Sequence, residues 1–176
     1  MSNYSNSELF RTRRVWLDDH ILRNNATEIV NQMLLLEEQD PYSDIYFWIN
    51  SPGGEVSSGL FIYDAMNYIK NDVVTIVGGQ AASMAAVLAS SGAVGKRYMF
   101  KNAELMFHTV SAGIGFGKEK DIAISADRIH SLNERLLKII ARNCNKDFED
   151  VKEDLDRDFF LIATEAITYG AVDYII

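Results

Sequence analysis

The chain is predicted to fold as an α/β protein, because two strand-like runs each end at glycines and lead into a helical segment. The first run covers residues 44–49 and is followed by a glycine turn at 50–54 and a helix from about Ser57 to Lys70. The second covers residues 73–77, stops at two glycines and gives way to a helix of small residues. Two such units in series favour parallel strands with helices packed on the sheet.

Upstream of these units, an apolar stripe indicates another helix. It is predicted to start near Asn24 and to end before Pro41, with its stripe packed on the sheet. The stripe consists of Ala26, Ile29, Val30, Met33 and Leu34.

A longer helix is predicted in the second half of the chain, where residues recur at alternating steps of three and four. These residues are Ile122, Ser125, Ile129, Leu132, Leu136 and Ile139. Some 20 residues of helix would reach about 30 Å. Because part of that stripe would face water in a monomer, it predicts docking on another subunit.

Length and composition indicate a single domain, residues 1–176. A content of 48% hydrophobic and 24% charged residues is ordinary for a soluble α/β protein. There is neither a membrane-spanning apolar run nor the apolar core of a signal peptide, so we expect a cytoplasmic protein. The net charge of −8 argues against a nucleic-acid partner.

Motifs for nucleotide, metal or thiol chemistry are missing from the sequence. The segment from Gly113 to Gly117 fits no phosphate-binding spacing and is interpreted as a flexible or strand-edge connection. No His/Cys cluster has zinc spacing, so we expect no metal and no cofactor. The single cysteine, Cys144, is expected at a helix end, as an incidental small residue.

Ser83 is the candidate nucleophile, because it follows the second glycine pair where a helix begins. A strand-to-helix turn directs its side chain into a cleft, and the first N–H groups of the helix are free to stabilise negative charge. In a parallel sheet the two glycine turns line one crevice, so backbone donors from both are expected beside Ser83. The segment lacks the G-x-S-x-G pattern, and close helix packing by small residues is the alternative interpretation.

His108 is the best candidate for the base that activates a serine hydroxyl. It directly follows residues 104–107, a short strand pattern, and would emerge at the strand terminus. His20 is predicted to lie on the surface, and His130 is predicted to lie on the flank of an amphipathic helix. A hydrogen-bonded structural histidine is the alternative role.

The acid that would orient this histidine is harder to select among 25 acidic residues. Asp158 is preferred because it lies where a charged stretch meets the apolar residues 159–162. Asp154 and Asp156 are rivals, and a simple solvated charge run is the alternative.

These motifs together resemble the proteolytic subunits of the Clp protease (the ClpP family) over about residues 15–174. The resemblance rests on the strand and glycine turn at 44–54, the residues Gly79–Met84 around the serine, and Gly95-Lys96-Arg97. It continues in Met106-Phe107-His108 and in residues 156–161, followed by 165–166 and 169–173.

The resemblance implies a crotonase-like fold of repeated ββα units with a long protruding handle helix, the handle region being about 109–143. It implies a serine endopeptidase with the triad Ser83, His108 and Asp158 and an oxyanion hole formed by the amides of Gly54 and Met84. Such subunits cleave unfolded polypeptides inside stacked seven-membered rings, with Asp156 and Arg157 in contacts between rings.

Members of this family receive substrate from a hexameric AAA+ unfoldase, which uses the ATP. Tyr46, Trp48 and Tyr68 match the aromatic residues of its docking pocket, although core packing is an alternative role for them. This sequence departs from the family at Ala85, at Thr109-Val110 and by one extra residue in the segment from Gly113 to Gly117.

Two other functions remain open at the level of sequence. One is a catalytically weak ring subunit that supports a paralogous ClpP subunit, which the altered handle and short N-terminus favour. The other is an acyl-CoA enzyme of the crotonase-like fold, which shares the paired-amide oxyanion hole but uses no Ser-His-Asp set.

Overall fold

A seven-stranded sheet with helices packed against it forms the centre of the computed structural model, which describes residues 8–110 and 118–176. The strands are β1 (Arg14–Leu17), β2 (Ile45–Ser51), β3 (Val73–Ala82), β4 (Arg97–Met99), β5 (Glu104–Phe107), β6 (Phe159–Ile162) and β7 (Tyr174–Ile175). The helices are α1 (Glu8–Arg11), α2 (Arg23–Gln39), α3 (Val56–Tyr68), α4 (Met84–Ser90), α5 (Glu119–Cys144), α6 (Phe148–Asp154) and α7 (Ala163–Tyr169).

The strand order along the sheet is β1-β2-β3-β4-β7, and all of these pairs are parallel. β5 also pairs with β3 in parallel and carries β6 on its other side as an antiparallel partner. The predicted α/β class with parallel strands is therefore confirmed.

The helix predicted from near Asn24 is confirmed as α2, but one residue of its stripe is wrong. Leu34 is 38% exposed, whereas Leu36 is fully buried. The buried face follows the steps 26, 29, 33 and 36, and Leu34 lies to one side of that line.

The glycine pair at 78–79 does not end a strand, in contrast to the prediction. β3 continues through it to Ala82, and its register with β2 shifts because Ile49 pairs with Val77 while Ser51 pairs with Ala81. Gly79 has φ +89°, and a Cβ there would lie 2.5 Å from the side-chain oxygen of Asn50. The glycines thus form a bulge that carries the strand on toward Ser83.

α5 contains 26 residues, so it is longer than predicted and extends about 39 Å. Its first ten residues are exposed, and its buried residues begin at Leu136. The exposed part of the predicted stripe is therefore confirmed.

The assignments for Gly113–Gly117 and for the polar N-terminal residues 1–7 fall outside the described residues, and the single domain stays a prediction.

The described residues include neither a membrane-spanning helix nor a cluster of metal ligands. None of their helices combines the length and apolar character needed to cross a bilayer. No group of three or more His, Cys, Asp or Glu side chains within 8–110 and 118–176 is arranged to hold a metal ion.

Arg97 joins the ends of three helices beneath the sheet. Its guanidinium donates two hydrogen bonds to Asp173, at 2.6 and 2.9 Å, and further bonds to the carbonyls of Asn143, Gly170 and Ser90. Burial of Asp173 opposes its ionisation, but the hydrogen bonds from Arg97 outweigh burial and lower the pKa of the Asp173 carboxyl. The pair thus anchors the C-terminal ends of α4, α5 and α7 around β4.

Replacing Arg97 by methionine is expected to lower the free energy of unfolding by about 3–5 kcal/mol, because Asp173 loses its buried partner. The loss should be complete above the ordinary range of a carboxyl pKa and should shrink as acid protonates Asp173. Urea titrations at fixed protein concentration and several pH values measure both effects.

The neighbouring Lys96 provides the control, because its ion pairs with Asp44 and Asp72 are more accessible to solvent than the pair of Arg97 and Asp173. Lys96→Met should change stability little. Equal losses in the two variants would contradict the anchoring role of Arg97.

Candidate active site

Ser83 lies between the end of β3 and the start of α4 in a strained backbone conformation, with φ 56° and ψ −125°. Such a conformation costs a residue other than glycine about 1–3 kcal/mol and is retained only where the surroundings impose it. Here the Ser83 N–H donates to the Met106 carbonyl at 2.7 Å, and the Ser83 carbonyl accepts from the N–H groups of Ala86 and Val87. The turn therefore presents the hydroxyl as a nucleophile elbow does, although the sequence lacks that motif.

His108 follows the last residue of β5, as predicted from the sequence. β3 and β5 are aligned in parallel so that Ala82 pairs with Met106. This register places Ser83, one residue beyond that pair, near His108, two residues beyond it, and the Nε2 atom of His108 lies 2.7 Å from the Ser83 hydroxyl oxygen. The arrangement allows the imidazole to accept the hydroxyl proton.

Asp158 is placed near His108 by β6, the antiparallel partner on the other side of β5. The antiparallel ladder pairs Glu104 with Ile162 and ends with Phe107 opposite Phe159, so His108 and Asp158 are the next pair along it. The distance between Asp158 Oδ1 and His108 Nδ1 is 3.6 Å, which exceeds the hydrogen-bond limit of about 3.2 Å. The Asp158 side chain is also 61% exposed. The carboxylate therefore lies opposite the imidazole but does not form a hydrogen bond with it.

The rival acids lie elsewhere. Asp154 ends α6 and faces the Tyr169 hydroxyl, whose pKa is raised by burial and then by this carboxylate. Asp156 is exposed and lies two residues beyond the position opposite His108. Of the other histidines, His20 is exposed, as predicted, and His130 is an exposed residue of α5 beside Glu134, which confirms its predicted place on the flank of a helix.

Gly54 and Met84 are the two residues expected to supply backbone donors beside Ser83. The Gly53 carbonyl and the Glu55 N–H bond to Ile21, so in this extended segment the Gly54 N–H points to the other side. Met84 is the first residue of α4, where an N–H has no partner within the helix. Neither N–H donates a hydrogen bond within residues 8–110 and 118–176.

A cavity of about 260 Å³ opens beside these groups. Ser83, His108, Gly54 and Met84 all line it, and the rest of its wall is largely apolar. The apolar wall includes Val56, Val87, Met106, Val110, Leu136 and Ile140. The sequence interpretation assigned Leu136 only to a docking stripe, because periodicity identifies a buried face without showing what that face contacts.

The cysteine is excluded as an alternative nucleophile. Cys144 is buried at the end of α5, as expected, and does not line the cavity. Burial raises the pKa of its thiol to about 12, so the reactive thiolate is scarce near neutral pH.

The residues matched to partner docking lie on two surfaces. Tyr46 and Trp48 alternate with buried residues of β2, so they share the face of the sheet that points away from the core. There Trp48 stacks on Trp16 with ring centroids 5.0 Å apart. Tyr68 ends α3, is 77% exposed and borders a separate surface pocket with Leu34.

Asp156 and Arg157 lie in the turn between α6 and β6, immediately before Asp158. Both side chains are exposed and form no ion pair with another described residue. They are therefore accessible to a second copy of the chain.

The chain matches one protein family and several proteins that carry the name of that family. The Clp protease family matches residues 2–176. Proteins named ATP-dependent Clp protease proteolytic subunit from Streptococcus suis (strain 98HAH33) and Streptococcus equi subsp. equi (strain 4047) are each 45% identical over 170 residues. One from Streptococcus pyogenes serotype M5 (strain Manfredo) is 44% identical over 170 residues, and each match covers 96% of this chain and 87% of the relative.

Gly53 is expected to be essential for the position of Ser83. A Cβ at Gly53 would lie 2.6 Å from the Ala82 carbonyl oxygen and 2.7 Å from the Ser83 Cβ. Gly53→Ala must therefore displace the serine turn, and we expect the rate of Ser83 labelling by a fluorophosphonate to fall at least about 10-fold.

Gly95→Ala is the matched control for that variant. Gly95 has φ +80°, close to the +90° of Gly53, but a Cβ there meets no atom within 4 Å. Both variants carry similar backbone strain, so a labelling rate that falls equally in both would show that strain rather than displacement is the cause.

Proposed function

Because this chain belongs to the Clp protease family, we propose that it is a proteolytic subunit that cleaves polypeptides with Ser83 as the nucleophile. The observation that carries the proposal is the 2.7 Å contact between the Ser83 hydroxyl and His108 Nε2, beside a cavity that Gly54 and Met84 also line. A serine hydroxyl needs such a base near neutral pH.

The proposed reaction proceeds through an acyl-enzyme. Ser83 Oγ attacks the substrate carbonyl carbon while His108 Nε2 takes the hydroxyl proton, and the N–H groups of Gly54 and Met84 stabilise the resulting oxyanion. His108 then gives the proton to the leaving amine as the peptide C–N bond breaks. Water, deprotonated by His108, attacks the ester carbonyl carbon. His108 then returns this proton to Ser83 Oγ as the C–O bond breaks and the carboxylic acid product leaves.

Asp158 is proposed to orient His108 and to stabilise its cationic form. The register of β5 and β6 supports Asp158 over Asp154 and Asp156, because only position 158 lies opposite His108. The Asp158 carboxylate lies 3.6 Å from His108 Nδ1, and its side chain is 61% exposed, so it is near the imidazole without being hydrogen-bonded to it. We infer that contacts of the adjacent Asp156 and Arg157 with a second copy draw it into hydrogen-bond range.

The substrate class follows from the cavity. Its apolar wall suits an uncharged side chain of the substrate, and its size admits one such side chain rather than a folded surface. We propose unfolded polypeptides as substrates, cleaved inside a closed assembly that excludes folded proteins.

The assembly is proposed to be two stacked heptameric rings of this chain. The support is the exposed N-terminal part of α5, where Ile122 and Ile124 face water in the single chain. A long helix with isolated exposed isoleucines is suited to packing on an equivalent helix of another subunit. A ring that includes a paralogous ClpP subunit would use the same surface.

An AAA+ unfoldase is proposed as the partner that delivers substrate and consumes ATP, because the sequence contains no nucleotide-binding motif. Tyr46 and Trp48 lie on the outer face of the sheet, whereas Tyr68 ends a helix on the core side. One docking pocket that uses all three must therefore form between two neighbouring copies. We infer that this machine acts in the cytoplasm, where a chain with one cysteine needs no oxidising environment.

A catalytically weak ring subunit is the second candidate, and the open distance between His108 and Asp158 is the observation that favours it. An acyl-CoA enzyme has no comparable support, because a serine held by a histidine has no part in the chemistry of that class.

Replacing Ser83 by alanine is expected to reduce cleavage of a short fluorogenic peptide by at least about 1,000-fold, because the acyl-enzyme cannot form. Labelling by a fluorophosphonate should be lost in the same variant and present in the wild type. Wild-type turnover in Ser83→Ala, in a preparation free of host peptidases, would refute the nucleophile.

Ser57→Ala is the control, since this serine is exposed on α3 and does not line the cavity. It should leave both readouts unchanged. An assembled wild type that neither cleaves peptide nor reacts with the probe would identify the weak ring subunit instead.

A further inference from the structure

Behind the candidate triad lies a group of three aromatic rings, Phe107, Phe159 and Tyr169. The ring centroids of Tyr169 and Phe159 are 5.1 Å apart, and those of Tyr169 and Phe107 are 6.2 Å apart. Both contacts are tilted, which is a favourable geometry for aromatic pairs. Tyr169 therefore spans the two strands that carry the base and the acid.

The two phenylalanines are the immediate chain neighbours of His108 and Asp158. Successive residues of a strand point to opposite faces, so the aromatic group lies on one face of the β5–β6 pair and the imidazole and carboxylate on the other. Phe107 and Phe159 also form the last pair of the ladder. Beyond it no described strand pairing fixes the separation of the two chains.

β6 is an edge strand that pairs only with β5 among the described residues, so its end needs another restraint. Tyr169 is itself well fixed at the end of α7, where it is 7% exposed and Lys146 lies over its ring at 4.4 Å. Its buried hydroxyl faces the Asp154 carboxylate on α6, although it forms no well-aligned hydrogen bond with a described residue. The contacts of Tyr169 with Phe107 and Phe159 are made by its ring, so the ring is the part that can hold the two triad strands.

We propose that Tyr169 is a positioning residue, whose ring, wedged against Phe107 and Phe159, sets the separation between His108 and Asp158. This inference rests on the proposed peptidase function. Loss of the ring would let the end of β6 shift away from β5, and a displacement of about 1 Å at a catalytic group is enough to reduce turnover on the order of 100-fold.

The test compares Tyr169→Leu with Tyr169→Phe in the assembled protein. Peptide cleavage gives kcat and KM, and fluorophosphonate titration counts the competent sites, so that kcat is expressed per active site. Tyr169→Leu should lower kcat per site about 10- to 100-fold with KM changed less than about 2-fold, since substrate contacts are kept. Tyr169→Phe retains the ring and should keep wild-type kcat.

Tyr63→Leu is the matched control. Tyr63 is also 7% exposed, but it lies on α3 and its ring contacts Arg142 rather than the triad strands. It should lower the amount of folded protein without lowering kcat per titrated site. A merely structural role of Tyr169 would give this same pattern in Tyr169→Leu and would overturn the proposal.

Two further outcomes are decisive. If Tyr169→Phe loses as much activity as Tyr169→Leu, the hydroxyl is responsible and the ring mechanism is wrong. If Tyr169→Leu does not fold, Phe159→Leu removes the facing ring and must show the same selective fall in kcat, and wild-type kcat there refutes the proposal. Activity surviving in Ser83→Ala would instead refute Ser83 as the nucleophile of the proposed function and leave the packing of Tyr169 unchanged.

Discussion

The position of β5 between β3 and β6 is the constraint on which the site depends. Its parallel register with β3 brings His108 to Ser83, and its antiparallel register with β6 brings Asp158 to His108. Three residues separated by 25 and 50 positions in the sequence thus meet because one short strand has two partners. A slip of one residue on either side would turn a triad side chain to the opposite face of the sheet.

The two contacts of the triad differ in how firmly they are held. Backbone hydrogen bonds with β5 and α4 fix the Ser83 turn and keep Ser83 in its strained conformation. Asp158 lies beyond the last ladder pair, immediately before the edge strand β6, and is largely exposed. The nucleophile and base are therefore complete within one chain, whereas the acid lies among the surfaces proposed to meet other subunits. We therefore expect contacts with a second copy, through Asp156 and Arg157, to bring Asp158 into hydrogen-bond range of His108.

Local signals in the sequence predicted much of this arrangement. Apolar runs and glycines identified the strands, and the positions of Ser83 and His108 at strand ends followed from them. The sequence could not reveal that Gly78 and Gly79 form a bulge, because a glycine pair marks a strand end equally well. The choice of Asp158 over Asp154 depends on the β5–β6 register, and the ring contacts of Tyr169 depend on tertiary packing, and neither leaves a periodic pattern. The strain at Ser83 is likewise imposed by Met106 and α4, which are distant or later in the chain.

The most direct measurement is a crystal structure of the assembled protein with Ser83 modified by a fluorophosphonate. We expect His108 and Asp158 to remain opposite each other at the end of the β5–β6 ladder and to close to within about 3.2 Å. The phosphonyl oxygen should accept hydrogen bonds from the N–H groups of Gly54 and Met84. A different register of these strands, or an oxygen that neither N–H reaches, would show that this site is not assembled as proposed.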